Sequence, residues 1–295
     1  MNRLTEILGT KYPIIQGAMQ YVANANLAAA VSNSGGLGVI AGGGITAKQL
    51  EAEINKAREL TDKPFAVNIN LQYPNVSDLV KVILEQGIKI VTTGAGTPKY
   101  YMNDFKEAGV AVIPVVPNLK IAQKMEALGA AAVIAEGRES GAHIGKNASL
   151  VLWPEVIANL SIPVIAAGGI ANRKGVKAAI AMGAAGVQCG TVFSIANESP
   201  VGDNWREVVL HDENEPATLV LGMPAIRVLN TPHAQELAQA KLDQKELSHQ
   251  VDEDFLPAMQ KDDLDHGIIF AGEVVSLLTK KQSAQEIVDE LAQGL

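Results

Sequence analysis

The sequence predicts an α/β protein, a (β/α)8 barrel carrying a small helical cap, and three features lead there. Eight short β-branched runs alternate with Ala-rich segments of helical spacing over the first two thirds of the 295-residue chain, with Gly or Pro at the joins. The strand runs are continuously apolar rather than alternating, as parallel strands covered on both faces should be. After Ser199 the chain turns polar and acidic and strand signals thin out. The expected division is therefore a barrel from residues 1–199 with 266–295, and a cap or substrate segment at 200–265.

The expected strands are 13–16, 37–40, 64–69, 88–93, 110–115, 130–136, 162–167 and 184–188. Helical segments follow, among them 24–34, 47–61, 77–86 and 120–128. Eight such units favour closure into a barrel. An open doubly wound sheet is the alternative, weakened because no G-x-G-x-x-G follows the first strand. In the cap, residues 234–247 read as a helix. Residues 268–293 read as two closing helices, IIFAGEVVSLL and SAQEIVDELAQ.

Composition narrows the function classes. The chain is 47% hydrophobic with 27 glycines, enough to bury a large core. Net charge is -8 and there is no Lys/Arg block, which argues against nucleic acid as a partner. A lone cysteine, Cys189, leaves no intrachain disulfide. No apolar run approaches the roughly 18 residues of a membrane helix. The opening residues, MNRLTEILG, lack a secretory signal's apolar core. The expectation is a cytoplasmic protein without membrane contact.

The strongest local signal is a pair of glycine-rich strand ends, Ala166–Ile170 and Gln188–Thr191. At the carboxyl ends of the seventh and eighth barrel strands such loops commonly hold phosphate, completed by a short helix. Gly168, Gly169 and Gly190 let backbone N–H groups approach phosphate oxygens, Thr191 adds a hydroxyl, and Ala167 and Gln188 flank them. The same glycines also suit tight turns. A second stretch, AEGRESGAHIGK at 135–146, follows the sixth strand. There Glu136 points across the barrel mouth, Gly141 and Gly145 flank His143, and His143 is a candidate proton donor. Lys146 is a candidate phosphate contact or a surface lysine. Smaller groups are Gln16, Gly17, Ala18 and Met19 after the first strand, Asn68 after the third, and Thr92, Thr93, Gly94 and Gly96 after the fourth. The remaining histidines show no metal-ligand spacing, so no metal site is expected. Cys189 reads as a small packing residue.

Taken in order, YPIIQGAM, SNSGGLGVIAGG, TDKPFAVNI, VTTGAG, VIAEGRESGAHIGK, IPVIAAGGI and VQCGTVF resemble the FMN-dependent enoyl-acyl-carrier-protein reductase II (FabK) family. That family lies within the nitronate monooxygenase, or 2-nitropropane dioxygenase, superfamily. The resemblance implies a TIM barrel holding FMN, NAD(P)H as reductant, and an enoyl thioester of fatty-acid synthesis, free or on acyl-carrier protein, as acceptor. The transfer would be a ping-pong hydride relay through FMN, with His143 as the catalytic histidine. Carried over by position, Gly168, Gly169, Gly190 and Thr191 would bind phosphate, and Ala18, Met19, Asn68, Glu136 and Gly141 would line the flavin. A homodimer is a further expectation. Two alternatives stand beside it: a nitronate monooxygenase using oxygen, and a flavin-binding protein that has lost turnover. Three departures bear on the acceptor rather than the flavin. Gly141-Ala142 stands where the family often has Gly-Gly. Met223 replaces a histidine before Arg227. In GIIFAGEVV, Ile268 and Glu273 replace the usual Ser and Gln.

Overall fold

The computed structural model describes residues 3–211, 214–240 and 242–295. Eight parallel strands form the barrel: β1 (Ile14–Gln16), β2 (Gly38–Ala41), β3 (Phe65–Asn70), β4 (Ile90–Gly94), β5 (Ala111–Val116), β6 (Val133–Glu136), β8 (Val164–Ala167) and β9 (Gly186–Cys189). A two-residue strand, β7 (Ala142–His143), lies in the loop between β6 and β8. The strand order runs from β1 through β9, β8, β6, β5, β4 and β3 to β2. A parallel bridge between Ile15 and Leu37 closes the ring. The buried Gln16 side chain reinforces that seam: its Oε1 accepts from the Val39 N–H at 3.0 Å, and its Nε2 donates to the Gly17 carbonyl.

Each barrel strand presents side chains to two layers. Ile15, Leu37, Val39, Ala66, Ile90, Ile113, Ile134 and Ile165 fill the interior, joined at one end by Leu4 and Leu8 of the first helix. The opposite faces pack against the surrounding helices. This two-sided burial explains why the strands read as unbroken apolar runs. The helices begin where polar caps place them. Asn24, Asn118 and Asn172 each accept a first-turn N–H, and Thr46 with Gln49 and Ser283 with Glu286 form capping boxes.

The segment after the barrel departs from the helical expectation. It contains an antiparallel hairpin, β10 (Thr218–Leu221) and β11 (Ile226–Leu229), and β11 also pairs with β7. The hairpin was legible in principle, because Gly222 and Pro224 separate two runs rich in β-branched residues. The expected helix over 234–247 is instead two helices, Pro232–Gln239 and Gln244–Lys261, the second opened by an Asp243 capping box; Lys241 lies outside the described residues. Residues 268–278 are not a helix either. Phe270 bridges to Val228, Leu229 donates to the Ile269 carbonyl, and only a short 3-10 turn follows at Glu273–Leu277. Pairing with β11 outweighs the helical periodicity of that stretch. The final helix, Ala284–Ala292, forms as expected. Leu221, Ile226, Val228, Ala234, Leu247, Val251 and Ile268 make a small satellite core beneath this segment. Among the described residues no helix is long and apolar enough to cross a membrane.

Candidate active site

The carboxyl ends of the barrel strands open into a cavity of about 460 Å³. Ala18, Met19, Asn68, Glu136, Gly141, His143, Ala167, Gly168, Gly169, Gln188, Gly190 and Thr191 all line it. Lys146 does not: it is exposed and outside the lining, because the chain has turned away by that point toward the helix Ser149–Asn159. Gln16 is likewise absent, its amide spent on the barrel seam. Thr92 lies behind Asn68 and orients it, its Oγ1 accepting from Asn68 Nδ2 at 3.0 Å. Thr93, Gly94 and Gly96 stay outside the lining.

The glycine-rich strand ends contain two kinds of glycine. Gly168 and Gly169 have φ of +89° and +78°, which L side chains rarely adopt. A Cβ on Gly168 would also meet the Gly137 carbonyl at 2.9 Å, so this glycine serves the packing of two loops. Gly190 differs. Its φ is −106°, and an added Cβ would meet only Met19 Sδ at 3.9 Å. It faces open space in the cavity. Directly after it begins the short helix Thr191–Ser194; its Phe193 and Ser194 N–H groups donate to the Gly190 carbonyl, which leaves the amides of Thr191 and Val192 without an intrahelical acceptor. Thr191 Oγ1 already accepts from the Gly272 N–H at 2.9 Å, which leaves its hydroxyl proton to donate elsewhere. A bare glycine, first-turn amides and a free hydroxyl donor fit a phosphate monoester.

The loop from Gly137 to Asn147 is pinned at several points. The Arg138 N–H donates to the Asn147 carbonyl at 2.8 Å. Glu139 accepts from the Ser149 N–H and from Ser149 Oγ, the latter at 2.8 Å. It thereby caps the helix Ser149–Asn159, whose own N-cap, Ala148, has no side-chain donor or acceptor. Trp153 Nε1 donates to the carbonyls of Ala135 and Ala167, tying that helix to the ends of β6 and β8. His143 sits on β7 opposite Ile226, exposed at the cavity wall.

Two groups have displaced acidities. Glu136 lines the cavity, and burial pushes its carboxyl up to about 7. Burial pushes the Cys189 thiol up to about 12, so this residue packs and does not act as a thiolate. Sequence reasoning missed the far wall. Ser248, Asp252 and Phe255 from the helix Gln244–Lys261, with Trp205 and Phe270, complete the lining. Phe255 stacks on Phe270 at 4.6 Å between centroids and meets Trp205 edge-on at 6.0 Å. The signal was present as spacing: residues 248, 252 and 255 share one helical face. Partial burial holds the Asp252 carboxyl above its usual range, opposed by the nearby His143 and His249.

Comparison with known proteins agrees with this geometry. The nitronate monooxygenase family pattern matches residues 1–294. FabK from Thermotoga maritima superposes with a TM-score of 0.95 at 38% identity, covering 100% of this chain and 96% of that one. A nitroalkane oxidase from Streptomyces ansochromogenes superposes with a TM-score of 0.89 at 25% identity, covering 99% and 97%. A Mycobacterium tuberculosis protein, (3aS,4S,5R,7aS)-5-hydroxy-7a-methyl-1-oxo-octahydro-1H-indene-4-carboxyl-CoA dehydrogenase, is 39% identical over 240 residues, which are 79% of this chain and 67% of that protein. The chain thus spans about two thirds of that relative's length.

Proposed function

The chain belongs to the nitronate monooxygenase family, and from that premise we propose that it is an FMN-dependent oxidoreductase reducing the double bond of an enoyl thioester with NAD(P)H. The observation that carries this reading is one cavity holding three things together. It has a phosphate cradle at Gly190 and Thr191, His143 at its wall, and an apolar aromatic side formed by Trp205, Phe255 and Phe270. The thioester in the name of the Mycobacterium relative supports the choice of acceptor class.

FMN, when bound, supplies hydride transfer between reductant and acceptor. The chain's own contributions are separable. Gly168, Gly169, Gly190 and Thr191 would hold the phosphate. Asn68, oriented by Thr92, and Gln188 offer amides to the ring. Glu136, whose carboxyl is pushed up to about 7, can in its protonated form donate a hydrogen bond where an ionised carboxylate could only accept. His143 delivers a proton to the acceptor's α-carbon or polarises its carbonyl where negative charge develops. The aromatic side excludes water and receives the acyl chain.

The test is anaerobic mixing of purified yellow protein with NADH or NADPH, then with crotonyl thioester, followed by flavin absorbance. Rapid bleaching and thioester-dependent return of the oxidised spectrum are expected. A flavin that neither nucleotide reduces would overturn the reading. The second reading, oxidation of an alkyl nitronate with oxygen, draws on the family match and the nitroalkane oxidase likeness. It predicts nitronate-dependent oxygen uptake without NAD(P)H.

A further inference from the structure

The geometry points to Arg227, held by Glu273, as the positioning residue for His143. This rests on the reading above in which His143 acts on the acceptor. The starting point is Ala142, whose φ is +59°. A left-handed backbone costs a non-glycine residue about 1 kcal/mol or more and persists only where its surroundings impose it. His143 is the next residue, so whatever imposes that conformation also aims the imidazole.

Two contacts impose it. The first is β11, which pairs Ile226 with His143 and Arg227 with Ala142, while the Ile144 N–H donates to the Ala225 carbonyl at 3.0 Å. The second is the Arg227 side chain, which is only 5% exposed. Its Nη2 donates to the Arg138 carbonyl at 3.1 Å, at the start of the histidine loop. Its Nη1 donates to Thr218 Oγ1 at 2.9 Å, in the neighbouring strand of the hairpin. Nη2 also pairs with Glu273 Oε1 at 2.7 Å. One planar guanidinium thus spans the histidine loop, the hairpin and the late segment. The late segment closes the circuit from the other side. The Glu273 N–H donates to the Glu139 carbonyl at 3.0 Å, and the Gly272 N–H reaches Thr191 beside the phosphate cradle. Gly141 lies so close to this segment that a Cβ would meet Ala271 C at 2.8 Å.

Glu273 is half exposed, so its replacement leaves the core intact. It is also the acceptor that compensates the buried guanidinium, and without it Arg227 is free to swing toward water and release the Arg138 carbonyl. Gln at this position keeps an acceptor oxygen; Ala does not.

The experiment compares Glu273→Ala, Glu273→Gln and Arg227→Lys in the full chain with flavin bound. Peptides spanning 141–145 should exchange backbone hydrogen at least tenfold faster in Glu273→Ala and Arg227→Lys, with barrel-strand peptides unchanged. The rate of transfer to crotonyl thioester should fall about tenfold in the same two variants, with KM for the thioester and Kd for FMN each within twofold of the parent. Glu273→Gln should recover both readouts to within threefold. Unchanged exchange in Glu273→Ala would overturn the proposal. So would a loss in which KM rises and FMN affinity falls along with the rate, or a Glu273→Gln variant as impaired as the alanine. If the parent itself fails to turn over thioester, the functional reading fails, and the exchange measurement still decides whether Arg227 and Glu273 hold the loop.

Discussion

Gly190 offers the cleanest test of the phosphate cradle, because the protein itself does not need this glycine. Its φ and ψ, −106° and −78°, are not in the left-handed region, and the nearest atom to an added Cβ is Met19 Sδ at 3.9 Å. Gly190→Ala and Gly190→Asp should therefore fold, unlike a change at Gly168, where φ is +89° and a Cβ meets backbone at 2.9 Å. What each variant meets is the ligand. An Asp carboxylate beside the phosphate, about 4 Å away, is opposed by roughly 4 kcal/mol per pair of unit charges at an effective dielectric of about 20. That corresponds to about a thousandfold loss of FMN affinity. Gly190→Ala introduces crowding alone, costing about 1–3 kcal/mol. The assay is quenching of free FMN fluorescence on titration into deflavinated protein, with circular dichroism as the check on folding. Lys146→Ala, exposed and outside the cavity, is the control and should leave affinity within twofold. A folded Gly190→Asp variant that binds FMN within threefold of the parent would refute the assignment of this loop to phosphate.

Three other outcomes follow from the site. His143→Ala should keep FMN affinity within about threefold and slow reduction by NADH only modestly, while transfer to the thioester falls about 10²-fold, the usual scale for a positioned acid; equal loss in both flavin half-reactions, followed by absorbance, would count against an acceptor-side role. Glu136 has its folded pKa raised to about 7, so the folded protein holds a proton that the unfolded chain releases, and stability should fall as pH rises from about 4.5 to 7. Glu136→Gln should remove that part of the decline and stabilise the cofactor-free protein above pH 7 by at most about 3 kcal/mol, read by urea unfolding at several pH values; parallel pH profiles for the two proteins would contradict the assignment. Ala142→Gly should relieve the left-handed strain at φ +59° and raise the melting temperature by about 1–2 °C, read by thermal scanning calorimetry; a lower melting temperature would show that the methyl contributes more packing than the backbone loses.

The sequence by itself determined the barrel and most of the residues that line the cavity at its mouth. Strand identity, order along the chain and the glycine-rich strand ends follow from short-range causes: β-branched apolar runs, asparagine and threonine caps, and glycines where the backbone turns left-handed. These act within a few residues and are readable in order along the chain. Tertiary structure decided the rest, because the deciding partners lie far apart in sequence. Gln16 stands among the strand-end candidates in sequence, yet its amide is consumed by Val39 across the barrel seam. Lys146 reads in sequence as a phosphate contact or a surface lysine, and the chain turns outward before it. Residues 268–278 have helical periodicity, but Phe270 pairs with Val228 of β11, and ladder hydrogen bonds there outweigh local preference. The far wall of the cavity, with Asp252 and Phe255, shows only as helical spacing until the helix is docked. Arg227 and Glu273, separated by 89 residues from Arg138 and by more than a hundred from His143 respectively, meet only because closing the barrel brings the histidine loop, the hairpin and the late segment to one edge of the mouth.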